Sequence, residues 1–163
     1  MMLTRHCNWV VIILAVVILL CLTPLISMAS ADDWTMFHHD TIHSGYATNS
    51  ESTNSAKLLW NYTAMDAVVS SPAVANGRVY FGDKAGAIYC VNASNAKLIW
   101  YYYCNASQVN NSPAIYNWHV YVGSDDGYLY CLDSTSGTLS WRTEIGGAFW
   151  SCPAIVEGRI YVG

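Results

Sequence analysis

His38, His39, Asp40 and His43 are the residues of this chain whose types first suggest metal chemistry. Imidazole and carboxylate are zinc ligands, but a zinc site needs them at spacings that converge on one point. Adjacent histidines in an extended segment point to opposite sides, and no further ligand follows at a standard distance. The group reads instead as a capping segment that satisfies backbone groups. Asp125-Asp126-Gly127 could suggest calcium, yet the full acidic loop spacing is missing and Asp-Asp-Gly is ordinary turn chemistry. Tyr101-Tyr102-Tyr103, Trp118 and Trp150 could stack sugars or simply pad loops and rims. No Gly-rich phosphate loop, no G-x-S-x-G elbow and no Ser/His/Asp arrangement is present. The expectation is therefore no catalytic, cofactor-binding or metal residue.

Two modification chemistries remain. Sequons stand at Asn61-Tyr62-Thr63, Asn92-Ala93-Ser94 and Asn105-Ala106-Ser107, so Asn61, Asn92 and Asn105 are candidate glycan acceptors. Asn110-Asn111-Ser112 is followed by Pro113, which impairs it. Cys90 and Cys131 occupy matching places about 41 residues apart, each after a tyrosine. Matching places in neighbouring units lie too far apart for a disulfide, so both read as small buried fillers. Cys104 and Cys152 are not equivalent and their pairing stays open.

The first residues form an export signal. Arg5 supplies the positive start, Val10 to Leu22 is unbroken apolar sequence, and Ala29-Ser30-Ala31 fits the small-x-small cleavage rule. A signal over 1–31 is expected to be removed, leaving 132 of 163 residues. A membrane contact follows only if the segment stays as an anchor; its apolar stretch to Ile26 is at the short limit for spanning a bilayer. An extracytoplasmic location, whether secreted, periplasmic or on the cell surface, is implied. The chain carries 7 Lys and Arg against 11 Asp and Glu, a net charge of −4, with no basic patch. Nucleic acid is excluded as a partner on that ground.

What positions any of these residues is a repeat. Ser71-Pro72-Ala73-Val74 returns as Ser112-Pro113-Ala114-Ile115 and as Cys152-Pro153-Ala154-Ile155, the prolines 41 and then 40 residues apart. Behind each runs Arg78-Val79-Tyr80-Phe81-Gly82, His119-Val120-Tyr121-Val122-Gly123 or Arg159-Ile160-Tyr161-Val162-Gly163. Trp60, Trp100 and Trp141 keep the same beat. A period of about forty with four short strands per unit marks a blade of a β-propeller. Asn76-Gly77 is a strong hairpin signal; Trp118 in place of the glycine predicts a different turn there with an exposed ring. The fold expected is all-β, an incomplete propeller of four-stranded antiparallel blades. Its parts are a capping segment over 32–56, then a partial propeller over 57–163. The latter comprises an outer clasp strand at 57–64, blades at 70–104 and 111–145, and a partial blade at 151–163. Closed propellers need at least four blades, so the chain is expected to be a piece of a longer reading frame, or else to associate to cover its edges.

Cys131-Leu132-Asp133-Ser134-Thr135-Ser136-Gly137-Thr138-Leu139-Ser140-Trp141 resembles the tryptophan-docking motif A-x-D-x-x-T-G-K-x-x-W of the pyrroloquinoline quinone (PQQ)-like propellers. Cys90 to Trp100 matches more weakly, with Asn92 for the aspartate and Ala96 for the glycine. Asp33-Trp34-Thr35-Met36-Phe37-His38-His39-Asp40, with His43-Ser44-Gly45 after it, looks like the segment before the first blade of many exported members. The resemblance implies that Trp60, Trp100 and Trp141, with Asp133 and Gly137, tie blade to blade. It covers two kinds of protein: quinoprotein dehydrogenases holding PQQ and calcium, and the scaffold lipoprotein of the outer-membrane barrel-assembly machine. The adjacent cysteines common in the dehydrogenases are absent. The expectation is a non-catalytic scaffold for a protein partner or cell-envelope component, with no cofactor. The alternatives are a fragment of a PQQ- and calcium-dependent dehydrogenase, or a carbohydrate-binding surface propeller.

Overall fold

The computed structural model describes residues 33–37, 57–104, 108–148 and 151–163. The signal segment, His38, His39, Asp40, His43, Asn105 and Trp150 lie outside the described residues.

Ten strands are formed by the repeat. The first sheet takes β1 (Ala73–Ala75), β2 (Arg78–Gly82), β3 (Ala87–Asn92) and β4 (Leu98–Tyr103) in that order, all antiparallel. The second repeats it with β5 (Ala114–Tyr116), β6 (His119–Gly123), β7 (Tyr128–Asp133) and β8 (Leu139–Glu144). A third begins with the hairpin β9 (Ala154–Val156) and β10 (Arg159–Tyr161). These are blades of an incomplete β-propeller. Ser71 and Pro72 precede the first strand; a proline has no N–H for the ladder.

The third strand of each blade is covered on both faces, so β3 and β7 read as near-continuous apolar runs. The fourth strand lies outside and is more exposed; β8 is exposed along its whole length. At the same place in both blades the register slips, after Cys90 and after Cys131, leaving Ile99 and Ser140 as the extra residues of a bulge.

The first hairpin turn is Asn76-Gly77, with φ of +51° and +69°. Glu157-Gly158 repeats it at +49° and +74°. Asn117-Trp118 does too, at +46° and +62°, which corrects the expectation of a different turn. The twist of the flanking strands selects a two-residue turn with both φ values positive, and the tryptophan is carried into it. The ring itself is 60% exposed, as the sequence suggests.

One core joins the two complete blades. Ala73, Tyr80, Ile88, Cys90, Trp100 and Val109 meet Ile115, Val120, Val122, Tyr130 and Leu132 in it. The inner strands are stitched from a third direction. Val74 donates its N–H to the Trp34 carbonyl at 2.6 Å, and Ile115 donates to the Thr35 carbonyl at 2.7 Å. Met36 is buried with Ala114 and Ile155. Segment 33–37 thus crosses the inner edge of successive blades. The segment expected as a clasp, 57–64, forms no strand pairing among the described residues. Its Trp60, Tyr62 and Ala64 pack on Phe81, Ala87, Tyr89 and Val91 of the first blade.

Candidate functional site

The residues the motif singles out converge on a seam between blades. Trp100 leaves the outer strand of the first blade and donates its indole N–H to the Ser134 carbonyl in the second, at 3.0 Å. Arg78 Nη1 donates to the same oxygen at 2.8 Å, and the Tyr80 hydroxyl at 3.3 Å. Ser134 is buried, so a carbonyl with no such donors would be costly there. The tyrosine ring stands 5.9 Å from the indole. Burial pushes the Tyr80 phenol up to about 12, against a smaller opposing pull from Arg78.

The turn that receives the indole is built by Asp133. Its Oδ1 accepts the N–H groups of Thr135 and Ser136 and the Ser136 hydroxyl, at 2.7–2.9 Å. Those bonds, led by Ser136, hold the carboxyl below its ordinary range. The turn ends at Gly137, whose φ is +73° and whose N–H returns to the Asp133 carbonyl.

The same joint occurs one blade earlier. Trp60 donates to the Ala93 carbonyl at 2.8 Å. Asn92 does the work of Asp133, its Oδ1 accepting the Ser94 N–H and hydroxyl at 2.9 and 2.6 Å. Ala96 takes the place of Gly137 and also holds a positive φ, +58°. Trp141 is the third of the series. Tyr121 lies 6.0 Å from it, as Tyr80 does from Trp100. It is 40% exposed, and among the described residues its N–H has no partner.

Other candidates are placed as follows. Trp118 stands on the exposed hairpin tip, and its carbonyl accepts the Ser134 N–H at 2.9 Å, as Gly77 accepts Ala93. Tyr101 and Tyr103 are exposed and meet edge to face at 5.7 Å, while Tyr102 turns inward to Tyr130. Asp125 Oδ2 accepts from the Asn110 amide at 2.9 Å, beside an open cavity of about 420 Å³ lined by Val69, Lys84, Gln108, Asn110 and Asn111. Asp126 Oδ2 accepts the Tyr130 hydroxyl at 2.5 Å. Among the described residues no three His, Cys, Asp or Glu side chains converge as a metal set. The four described cysteines are unpaired, Cys90, Cys104 and Cys131 being buried.

Sequence reasoning did not identify Asp83, which is wholly buried in the first blade. Its Oδ1 accepts the Ala87 N–H at 2.9 Å; its Oδ2 accepts the Tyr89 hydroxyl at 2.8 Å and the Asp66 N–H at 3.3 Å. The available signal was a turn carboxylate followed by a strand tyrosine, a pairing that Asp126 and Tyr130 repeat in the second blade.

The geometry describes a stack of blades joined by indoles. Residues 50–117 and 104–163 match the family model described as outer membrane protein assembly factor BamB. A comparison with curated proteins finds no match. Among solved structures, the quinohemoprotein alcohol dehydrogenase of Pseudomonas putida HK5 superposes with a TM-score of 0.72 at 21% identity, over 81% of this chain and 22% of that one. The corresponding enzyme of Comamonas testosteroni gives 0.71 at 22% identity, over 81% and 23%. BamB of Moraxella catarrhalis gives 0.57 at 20% identity, over 64% and 33%. The chain therefore spans a third or less of each of these proteins, and at such identities the likeness is one of fold. With the family model matched over most of its length, the chain belongs to the PQQ-like propeller family described as outer membrane protein assembly factor BamB.

Proposed function

We propose that this chain is part of an exported propeller that acts as a non-catalytic scaffold for other proteins of the cell envelope. The observation that carries the reading is the family match over residues 50–163, since the matched family is described by an assembly role. The disposition of polar groups supports it. Asp133, Ser134, Arg78 and Tyr80 are all engaged in joining blades. The inner edge, which faces the axis of a propeller, is occupied by the chain's own segment 33–37. What is left outward includes exposed aromatic surface at one hairpin, Trp118 and Tyr116.

The dehydrogenase alternative is favoured by the higher TM-scores of the two alcohol dehydrogenases. PQQ and calcium require converging carboxylate and amide oxygens near the axis. Here Asp83 and Asp126 are held by Tyr89 and Tyr130, and Asp125 accepts from Asn110 through one oxygen, while Asp125 Oδ1 and Asn110 Oδ1 are buried without a hydrogen-bond partner. Among the described residues no three His, Cys, Asp or Glu side chains converge as a metal set, and no step through the group is derived. For the carbohydrate alternative the supporting features are the exposed rings of Trp118, Tyr101 and Tyr103.

Purified protein titrated with PQQ and calcium distinguishes the first two readings. The scaffold reading expects no quinone absorbance retained after gel filtration and no alcohol or sugar oxidation; either one overturns it. A photo-reactive residue at Trp118 is expected to crosslink to an envelope protein in living cells, and glycan-array binding at that ring would turn the reading to carbohydrate.

A further inference from the structure

The segment that carries Trp60 has a second face with no packing role. Tyr62 is turned onto the first blade, its ring 5.8 Å from Phe81 and 5.7 Å from Tyr89, both edge on. In extended backbone the neighbours of an anchored residue point the other way, and Asn61 and Thr63 are both exposed. Residues 57–64 pair with no strand among the described residues, so a transferase meets backbone free of a sheet ladder. Leu58 and Leu59, on the same segment, are 79% and 80% exposed, an apolar surface of the sort a polar cover would shield.

The contrast with Asn92 sharpens the choice. That sequon is folded into a turn: Asn92 is half-buried, and its carboxamide oxygen is bonded twice to Ser94 in the role Asp133 plays in the next blade. Asn61 has no such duty, so its residue type is explained by no packing or bonding in the blade.

We infer that Asn61 is an N-linked glycan acceptor, with Thr63 as the hydroxyl residue of its recognition sequence. The donor is a saccharide whose anomeric carbon is bound to a lipid phosphate. Asn61 Nδ2 forms the bond to that carbon, the carbon–oxygen bond to phosphate breaks with its electron pair leaving on the lipid phosphate, and one amide proton passes to a base of the transferase. The inference shares with the scaffold reading only the passage of the chain out of the cytoplasm.

Trypsin separates the site cleanly, because Asn61 lies in the peptide 58–78 and Asn92 in 85–97. Protein recovered from the cells that make it, and from cells making Thr63→Ala or Thr63→Ser, is examined by peptide mass spectrometry. The peptide 58–78 is expected to carry a saccharide mass that Thr63→Ser keeps and Thr63→Ala loses, with 85–97 as the recovery control. A bare 58–78 peptide in the wild-type protein overturns the inference, as does a saccharide that survives Thr63→Ala. Fractionation of the same cells separates the two readings: bare protein outside the cytoplasm removes the glycan alone, bare protein inside removes export as well.

Discussion

Gly137 lies directly beneath the Trp100 ring: a Cβ built on Gly137 would stand 2.5 Å from Trp100 Cδ2. Two demands coincide at this one position. The turn needs a positive φ, and the neighbouring blade needs the space a side chain would fill. Trp100 accordingly seats fully, with 7% of its surface exposed. Gly137→Ala is expected to lower stability by about 2–4 kcal/mol, from overpacking plus a strained φ. A urea midpoint within error of wild type would show that the indole does not press on this turn. Ala96, with the same positive φ in the first blade, predicts the reverse. Ala96→Gly relieves the backbone, and a gain of roughly 0.5 kcal/mol is expected after the entropy of the unfolded glycine is allowed for.

Trp118 offers a second test of backbone strain, this time without packing. It holds a φ of +62° where the other hairpins carry Gly77 and Gly158. Its ring is 60% exposed, so little burial is lost on truncation. Trp118→Gly is therefore expected to raise the urea midpoint, by about 0.5–1 kcal/mol in stability. A loss of stability would mean that the ring has a folded partner, and would count against its being free for contact.

Much of this architecture was legible because it is written in side chains at a fixed period. The three proline phrases, the Asn-Gly turn and the tryptophans place the strands to within a residue or two. What escaped was written in backbone. The acceptor of three donors is the Ser134 carbonyl, and a carbonyl has no residue type to recognise. Segment 33–37 likewise reaches the inner strands through Trp34 and Thr35 carbonyls. The Trp118 turn was misread for a different reason: local preference was followed, and the twist of paired strands overrode it. The Asp–Tyr pairs were hidden by a shift of position. Asp83 begins its turn, whereas Asp126 stands two residues beyond Ser124, its equivalent.

Asp83 is a carboxylate wholly buried in the first blade. Its two oxygens satisfy Ala87, Tyr89 and Asp66 at once. Asp83→Ala leaves the buried Ala87 N–H and Tyr89 hydroxyl without this acceptor, and a loss of roughly 2–4 kcal/mol is expected. Asp83→Asn keeps one acceptor but turns an amide donor toward Tyr89 or Ala87, so it too should destabilise. Paired denaturation of Asp83→Asn in wild-type and Tyr89→Phe backgrounds checks the assignment. If Tyr89 is the partner, the second substitution removes part of the penalty of the first. Additive losses would deny the pairing.

Alkali should find the same core through its acids. Burial pushes the Cys90 and Cys131 thiols up to about 11 from 9.0, and the Tyr80, Tyr89 and Tyr121 phenols up to about 12 from 10.0. Each group thus holds its proton more tightly folded than unfolded. Between the two values the native state binds more protons than the unfolded one, and stability falls as pH rises. The contribution is complete below pH 9.0 and is lost progressively up to about pH 12. Urea midpoints are expected to fall across that window, with phenolate absorbance rising together with the loss of strand signal. Smooth titration of all the tyrosines near 10.0 with the fold intact would mean that these rings meet water, contrary to their burial between the blades.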